Sequence, residues 1–170
     1  AVTNLADDDV SVLYGHIPDA GDALSSATQL GSPASGTSVS HAGQVGDGLY
    51  GAKDIDIYGF VLGVGGTVSA EVWSQRNDTP LDPYLRLFNS FGQEIAANDD
   101  YYGLDPWLSV SLAAGTYYIG VSGYGNRYYS PHQAGSGIAG STGEYTLMVD
   151  VSGAPGGTWN PVILIGAVFI

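Results

Sequence analysis

The chain contains no cysteine, a single methionine and only four basic residues against 17 acidic ones in 170. Without cysteine there is no disulfide, no thiol nucleophile and no thiolate metal site. The formal net charge of −13 repels nucleic acid and anionic membrane surfaces, so neither is expected as a partner. Helix signals are almost missing: only the octet DALSSATQ at residues 22–29 offers a cap and a turn or two of helix formers. No apolar run approaches the roughly 20 residues of a membrane-spanning helix. The first residues show neither a basic nor an apolar leader segment, as in an already processed secreted chain.

What remains reads as strands. Apolar residues alternate with period two at Tyr58, Phe60 and Leu62; at Val68, Ala70 and Val72; at Tyr117, Ile119 and Val121; and at Tyr145, Leu147 and Val149. These are the expected core faces. Glycine-rich or polar turns at residues 63–66, 89–92 and 113–115, and a longer tract ending at Gly143, punctuate them. The pattern predicts an all-β fold, an antiparallel sandwich or jelly roll of about eight to ten short strands.

The acids are mostly aspartate, 14 against three glutamates, which favours short, turn-borne oxygen ligands, and calcium is the natural cation for them. Asp54 and Asp56 fall on one side at the mouth of a strand. Asn98, Asp99 and Asp100 cluster in a turn that alternatively reads as an Asx turn, its side-chain oxygens accepting backbone N–H groups. Carboxylates gathered at one end of a sandwich repel one another unless a cation or water separates them. The run Asp7, Asp8, Asp9 reads as a solvated terminal stretch.

Several separated motifs together resemble the bacterial pre-peptidase C-terminal domain, a β-sandwich module appended to secreted proteases and surface proteins. The motif DAGDAL at residues 19–24 sits where that family usually opens with Glu-Pro-Asn-Asp, departing from it at Asp19, Ala20 and Gly21. The strand DIDIYGF at residues 54–60, the run LDPYLRLF at 81–88, the NDD turn at 98–100, the Asp105, Pro106 pair and the strand GTYYIGV at 115–121 complete the pattern. The resemblance spans about residues 19–151. It implies a jelly-roll-like sandwich, often calcium-binding, that serves targeting, adhesion or assembly; it adds Asp19 and Asp22 to the expected calcium ligands Asp54, Asp56, Asp99 and Asp100. A secreted or cell-surface location follows from it.

Three further segments stand out, a long loop within the resemblance and the two ends outside it. The tract at residues 123–143 is about twice a normal loop and carries Tyr124, Arg127, Tyr128 and Tyr129. Such a loop either covers the sandwich end or contacts a ligand. Residues 10–17 (VSVLYGHI) form an expected extra strand with Val10, Val12 and Tyr14 on it, within an N-terminal extension at 1–18. Residues 152–170 join a Gly/Pro hinge to the run VILIGAVFI, which has no polar side chain. Its β-branched content favours a strand buried on both faces, and left exposed it would aggregate. Val162, Ile163, Leu164, Ile165, Val168, Phe169 and Ile170 are the candidate contacts. Burying five or six of them yields about 8–15 kcal/mol gross at about 1.5–3 kcal/mol each. The tail either folds back on its own sandwich or completes a neighbouring copy.

Catalytic signatures are absent. His16, His41 and His132 lie in different segments, and there is no Gly-x-Ser-x-Gly elbow or His-Glu-x-x-His helix. The string GSGIAG at residues 135–140 spells a dinucleotide fingerprint without its strand and helix. Asn77, Asp78 and Thr79 form a sequon that marks an exposed turn. The sequence therefore points to a non-enzymatic, secreted, calcium-supported sandwich whose partners are copies of itself, joined into a filament, tube or surface layer by the terminal strands. The alternative is an adhesion module for collagen or polysaccharide, acting through Tyr124, Arg127, Tyr128 and Tyr129.

Overall fold

The computed structural model describes residues 17–153. Nine strands form two sheets: β1 (Thr28–Gly31), β2 (Thr37–Val45), β3 (Ile55–Leu62), β4 (Gly66–Trp73), β5 (Pro83–Asn89), β6 (Glu94–Asn98), β7 (Trp107–Leu112), β8 (Gly115–Gly123) and β9 (Gly143–Gly153). One sheet has the order β1-β3-β8-β5-β6, the other β2-β9-β4-β7. All pairings are antiparallel except β1 with β3. The all-β expectation holds. Of the octet at residues 22–29 only one 3-10 turn forms, Leu24–Ser26, and Thr28 begins β1, because neighbouring β3 offers that backbone a ladder.

The four alternating triplets meet between the sheets. Tyr58, Phe60, Leu62, Val68, Ala70, Val72, Ile119, Val121, Tyr145, Leu147 and Val149 are buried in a single core, with Tyr117 packed at its rim. A smaller cluster, Ile55, Ile57, Phe88 and Tyr129, lies on the other face of the first sheet, where Leu24, Ala27 and Tyr118 seal it. Strand β3 is consequently buried on both faces, and only Val61 along it is exposed. The outer layer is supplied largely by the tract after β8. Arg86 holds it by donating from Nη1 to the Tyr129 carbonyl at 2.8 Å, and buried Asn126 ties it to the Lys53 carbonyl and the Ile138 N–H.

Ladder registers orient the molecule. The start of β3, the end of β8, the start of β5 and the end of β6 share one end of the first sheet. In the second sheet the start of β9 pairs with the ends of β2 and β4, and Trp107 at the start of β7 faces Glu71. Tyr145 of β9 touches Asp56 of β3, so these ends coincide. Residues 17–22 enter at this end, beside Asp54. Gly153 leaves at the opposite end, paired with Gly66. The expected strand at residues 10–17, except Ile17, and the apolar run at 162–170 lie outside the described residues.

Candidate metal centre

Three segments converge on the acidic end. Asp54 follows the 3-10 turn Gly51–Lys53 and immediately precedes β3. Asp19 and Asp22 come from the entering loop, which is held against β3 by the Ile57 N–H donating to the Gly21 carbonyl at 2.8 Å. Carboxylate oxygens of Asp19, Asp22 and Asp54 all lie within 4.8 Å of one another. Two ligands on one calcium at 2.3–2.6 Å are separated by no more than about twice that distance, so the spacing fits a shared ion.

Two close approaches explain glycines in this site. A Cβ on Gly21 would sit 1.8 Å from the Ser26 carbonyl oxygen, and one on Gly48 would sit 2.3 Å from Asp19 Oδ2. The departure from the family opening at Gly21 therefore lets the loop turn tightly enough to present Asp19 and Asp22 together. The loop's Asp22 is matched across the site by Asp54, which is fully buried and accepts the Gly46 N–H on Oδ2 at 2.6 Å. Oδ1 of Asp54 and Oδ1 of Asp22 are buried and meet no hydrogen-bond donor among the described residues. Burial first, then a proton shared with Asp54 and repulsion from Asp54 and Asp19, pushes the Asp22 carboxyl up to about 8. Orphaned buried carboxylate oxygens are a donor set suited to a hard divalent cation.

Asp56 Oδ1 is likewise buried without a hydrogen-bond donor among the described residues. Its side chain is fully buried and its Oδ2 accepts the Tyr145 hydroxyl at 2.5 Å, while Tyr145 lies 2.7 Å from the Tyr58 hydroxyl. Burial, then the Asp54 charge, raises its carboxyl well above the ordinary range, with Tyr145 opposing. Asp56 thus forms the floor beneath the triad. Asp47, in the β2–β3 connection, adds its field to Asp56; sequence reasoning missed it, although an aspartate between Gly46 and Gly48 is itself a turn-borne ligand signature.

Asp99 and Asp100 do not join this group. They follow β6, three strands from β3 in the sheet order, and strands are about 4.8 Å apart. Asp99 Oδ1 accepts the Asp100 N–H at 3.0 Å, and Asn98 Oδ1 reaches across to accept the N–H of Trp107 at the start of β7 at 3.3 Å. Their charges act instead on Asp82, whose carboxyl is raised by burial and then by Asp100 and Asp99. In the long tract, Tyr129 is buried in the outer core, so it packs rather than presenting itself to a ligand. Tyr124 and Tyr128 are exposed, with the Arg127 guanidinium 4.7 and 5.7 Å from their ring centres.

Among curated protein sequences no relative matches. In fold, the chain is similar to the pre-peptidase C-terminal domain of collagenase from Bacillus anthracis, at 16% identity and TM-score 0.47 over 72% of this chain and 93% of that one. It is also similar to the periplasmic inhibitor of g-type lysozyme from Aeromonas hydrophila, at 19% identity and TM-score 0.49 over 74% and 96%. Residues 54–123, from Asp54 through the end of β8, match the sequence profile of the bacterial pre-peptidase C-terminal domain, the family whose motifs this sequence carries.

Proposed function

We propose that this protein is a non-catalytic, secreted β-sandwich subunit that assembles head-to-tail through its terminal segments and is stabilised by calcium at Asp19, Asp22 and Asp54. The observation that carries the reading is the placement of the two attachment points. Residues 17 and 153 lie at opposite ends of a sandwich whose core is complete between them. An apolar segment joined beyond residue 153 is therefore not needed to close this core, and it can complete the sheet of a neighbour along the long axis. The family match supports an extracellular or periplasmic setting.

A bound calcium ion would supply positive charge that offsets the repulsion among Asp19, Asp22 and Asp54. This chain's part is to hold the entering loop against β3 through Gly21 and Ile57, to exclude water around Asp54 and to brace Asp56 with Tyr145. Electron microscopy and size-exclusion chromatography of purified full chain, with calcium or with chelator, test the assembly. Filaments or tubes that diminish on chelation and vanish when residues 158–170 are deleted support it; an unchanged oligomeric state after that deletion refutes it. The alternative, adhesion to an extracellular polymer such as collagen or polysaccharide, is favoured at the long tract by the exposed stack of Tyr124, Arg127 and Tyr128.

A further inference from the structure

We propose that the corner where β4, β7 and residues 99–106 meet is a binding site for a neutral polysaccharide, separate from the Asp19, Asp22 and Asp54 cluster and from the long tract. In the β4–β7 ladder Trp107 lies opposite Glu71. Because Val72 and Leu108 point into the core, Glu71, Trp73 and Trp107 project from the outer face. The connecting residues fold back as Tyr101 and Tyr102 both donate their N–H groups to the Asp105 carbonyl. That turn places the Tyr101 ring 4.8 Å from Trp107 at 37°, with Tyr102 edge-on to Tyr101 at 4.6 Å. Arg76 continues the row, 5.1 Å from the Tyr102 ring centre and 4.7 Å from that of Trp73.

The row is rigidly supported. Asp105 is fully buried and accepts from Arg76 Nε at 2.7 Å and from the backbone of Ser74 and Gln75 at 2.8 Å each; Glu71 takes the other arm of the guanidinium. The positive charge is thereby consumed inside the corner. Tyr101 and Tyr102 nevertheless remain 54% and 53% exposed. Next to them the outer face of the sheet is a hydroxyl ladder, Ser69 bonded to Ser109 at 3.0 Å and Thr67 to Ser111 at 3.3 Å. The other sheet's outer face is covered by the Tyr129 layer, whereas among the described residues no layer covers this one.

These features select the occupant. Ring faces stack on the C–H faces of pyranoses, and hydroxyl rows exchange hydrogen bonds with sugar hydroxyls. Exposed Asp100, Glu144 and Asp150, within a net charge of −13, repel uronic or sulfated glycans. A protein partner would want aliphatic area, and Leu104 is the one exposed aliphatic side chain of this turn. Rings tilted by 37° suit a twisting soluble chain better than a flat crystalline surface.

Native affinity electrophoresis of the full chain through gels containing laminarin, glucomannan or xyloglucan, beside gels containing gelatin or alginate, tests the site. Retardation is expected in at least one neutral glycan, weakened about tenfold or more by Tyr101→Ala with Tyr102→Ala. The paired Phe substitutions and Tyr128→Ala should retain it. A cooperative melt establishes that the double variant is folded; if it is not, Tyr102→Ala alone carries the comparison. No retardation in any neutral glycan, retardation indifferent to the folded Tyr variants, loss in Tyr128→Ala instead, or retardation by gelatin or alginate alone each overturns the proposal. Retardation is read against the same variant in glycan-free gel, for the full chain and after deletion of residues 158–170, so this test and that of assembly fail separately.

Discussion

Tyr145 donates its hydroxyl to Oδ2 of Asp56 at 2.5 Å and receives that of Tyr58 at 2.7 Å, a buried carboxylate–phenol–phenol chain leading from the acidic end into the inter-sheet core. Tyr145→Phe strips the carboxylate of its donor and leaves a buried oxygen unsatisfied. We expect a loss of about 1–3 kcal/mol in chemical denaturation. Tyr58→Phe, which leaves the Asp56 bond intact, should cost less.

The charge on Asp22 sets a pH dependence in the metal-free protein. Its folded carboxyl sits at about 8 against an ordinary value of 3.8, so between those values the folded state holds a proton that the unfolded state has lost. Stability then falls as pH rises across that window. Asp56, also raised, adds to the slope. Melting temperatures of calcium-free protein should decline from pH 5 to pH 8.5, and saturating calcium should flatten the decline. A melting temperature that rises over the same window without calcium contradicts this.

Gly48 permits Asp19 to close over the site without contributing a ligand. Gly48→Ala puts a Cβ 2.3 Å from Asp19 Oδ2 and should weaken calcium binding by about tenfold, in the manner of outer-shell changes at metal sites. Asp54→Asn should weaken it further, while Asp99→Asn with Asp100→Asn should not. Isothermal titration of calcium into each variant gives the ranking directly.

Asp105 is the opposite electrostatic case. Burial disfavours its charge, but donation from Arg76 and the backbone of Ser74, Gln75 and Arg76 outweighs this and holds the carboxyl below its ordinary value. A depressed folded value contributes stability above the unfolded one and loses it as pH falls through the folded one. Asp105→Asn should destabilise by about 2–4 kcal/mol at neutral pH and flatten the acid limb of the unfolding profile below about pH 4. It should also loosen the aromatic corner, visible in near-ultraviolet circular dichroism.

The alternating strands were legible because burying one face of a strand writes period two directly into the sequence, as in Val68, Ala70 and Val72. Strand β2 was not: it lies at a sheet edge, and its TSVSHAGQV has six exposed or half-exposed residues before its first buried one, so no apolar rhythm marks it. Asp19, Asp22 and Asp54 were each legible as candidate ligands, but their meeting, like the separation of Asp99 and Asp100, depends on strand order and loop placement, which no local pattern carries. Asp47 and the row formed by Trp73, Tyr101, Tyr102 and Trp107 join residues up to 34 positions apart. The register of β4 on β7 and the turn at residues 101–105 assemble the aromatic row, while Asp47 reaches Asp56 from the β2–β3 connection.

The opposite placement of residues 17 and 153 also dictates how the sandwich meets tension. Strand β9 is flanked on both sides, with nine of its residues paired to β2 and eight to β4. A pull on Gly153 away from the acidic end runs along this strand, across hydrogen bonds that lie perpendicular to it. Those bonds resist together, in shear, instead of opening one after another as in a peeled hairpin. At the other attachment the chain is held by a loop, and the carboxylates of Asp19 and Asp22 against Asp54 are its anchor. A cation there would act as a rivet, making the strength of a chain of such subunits depend on calcium.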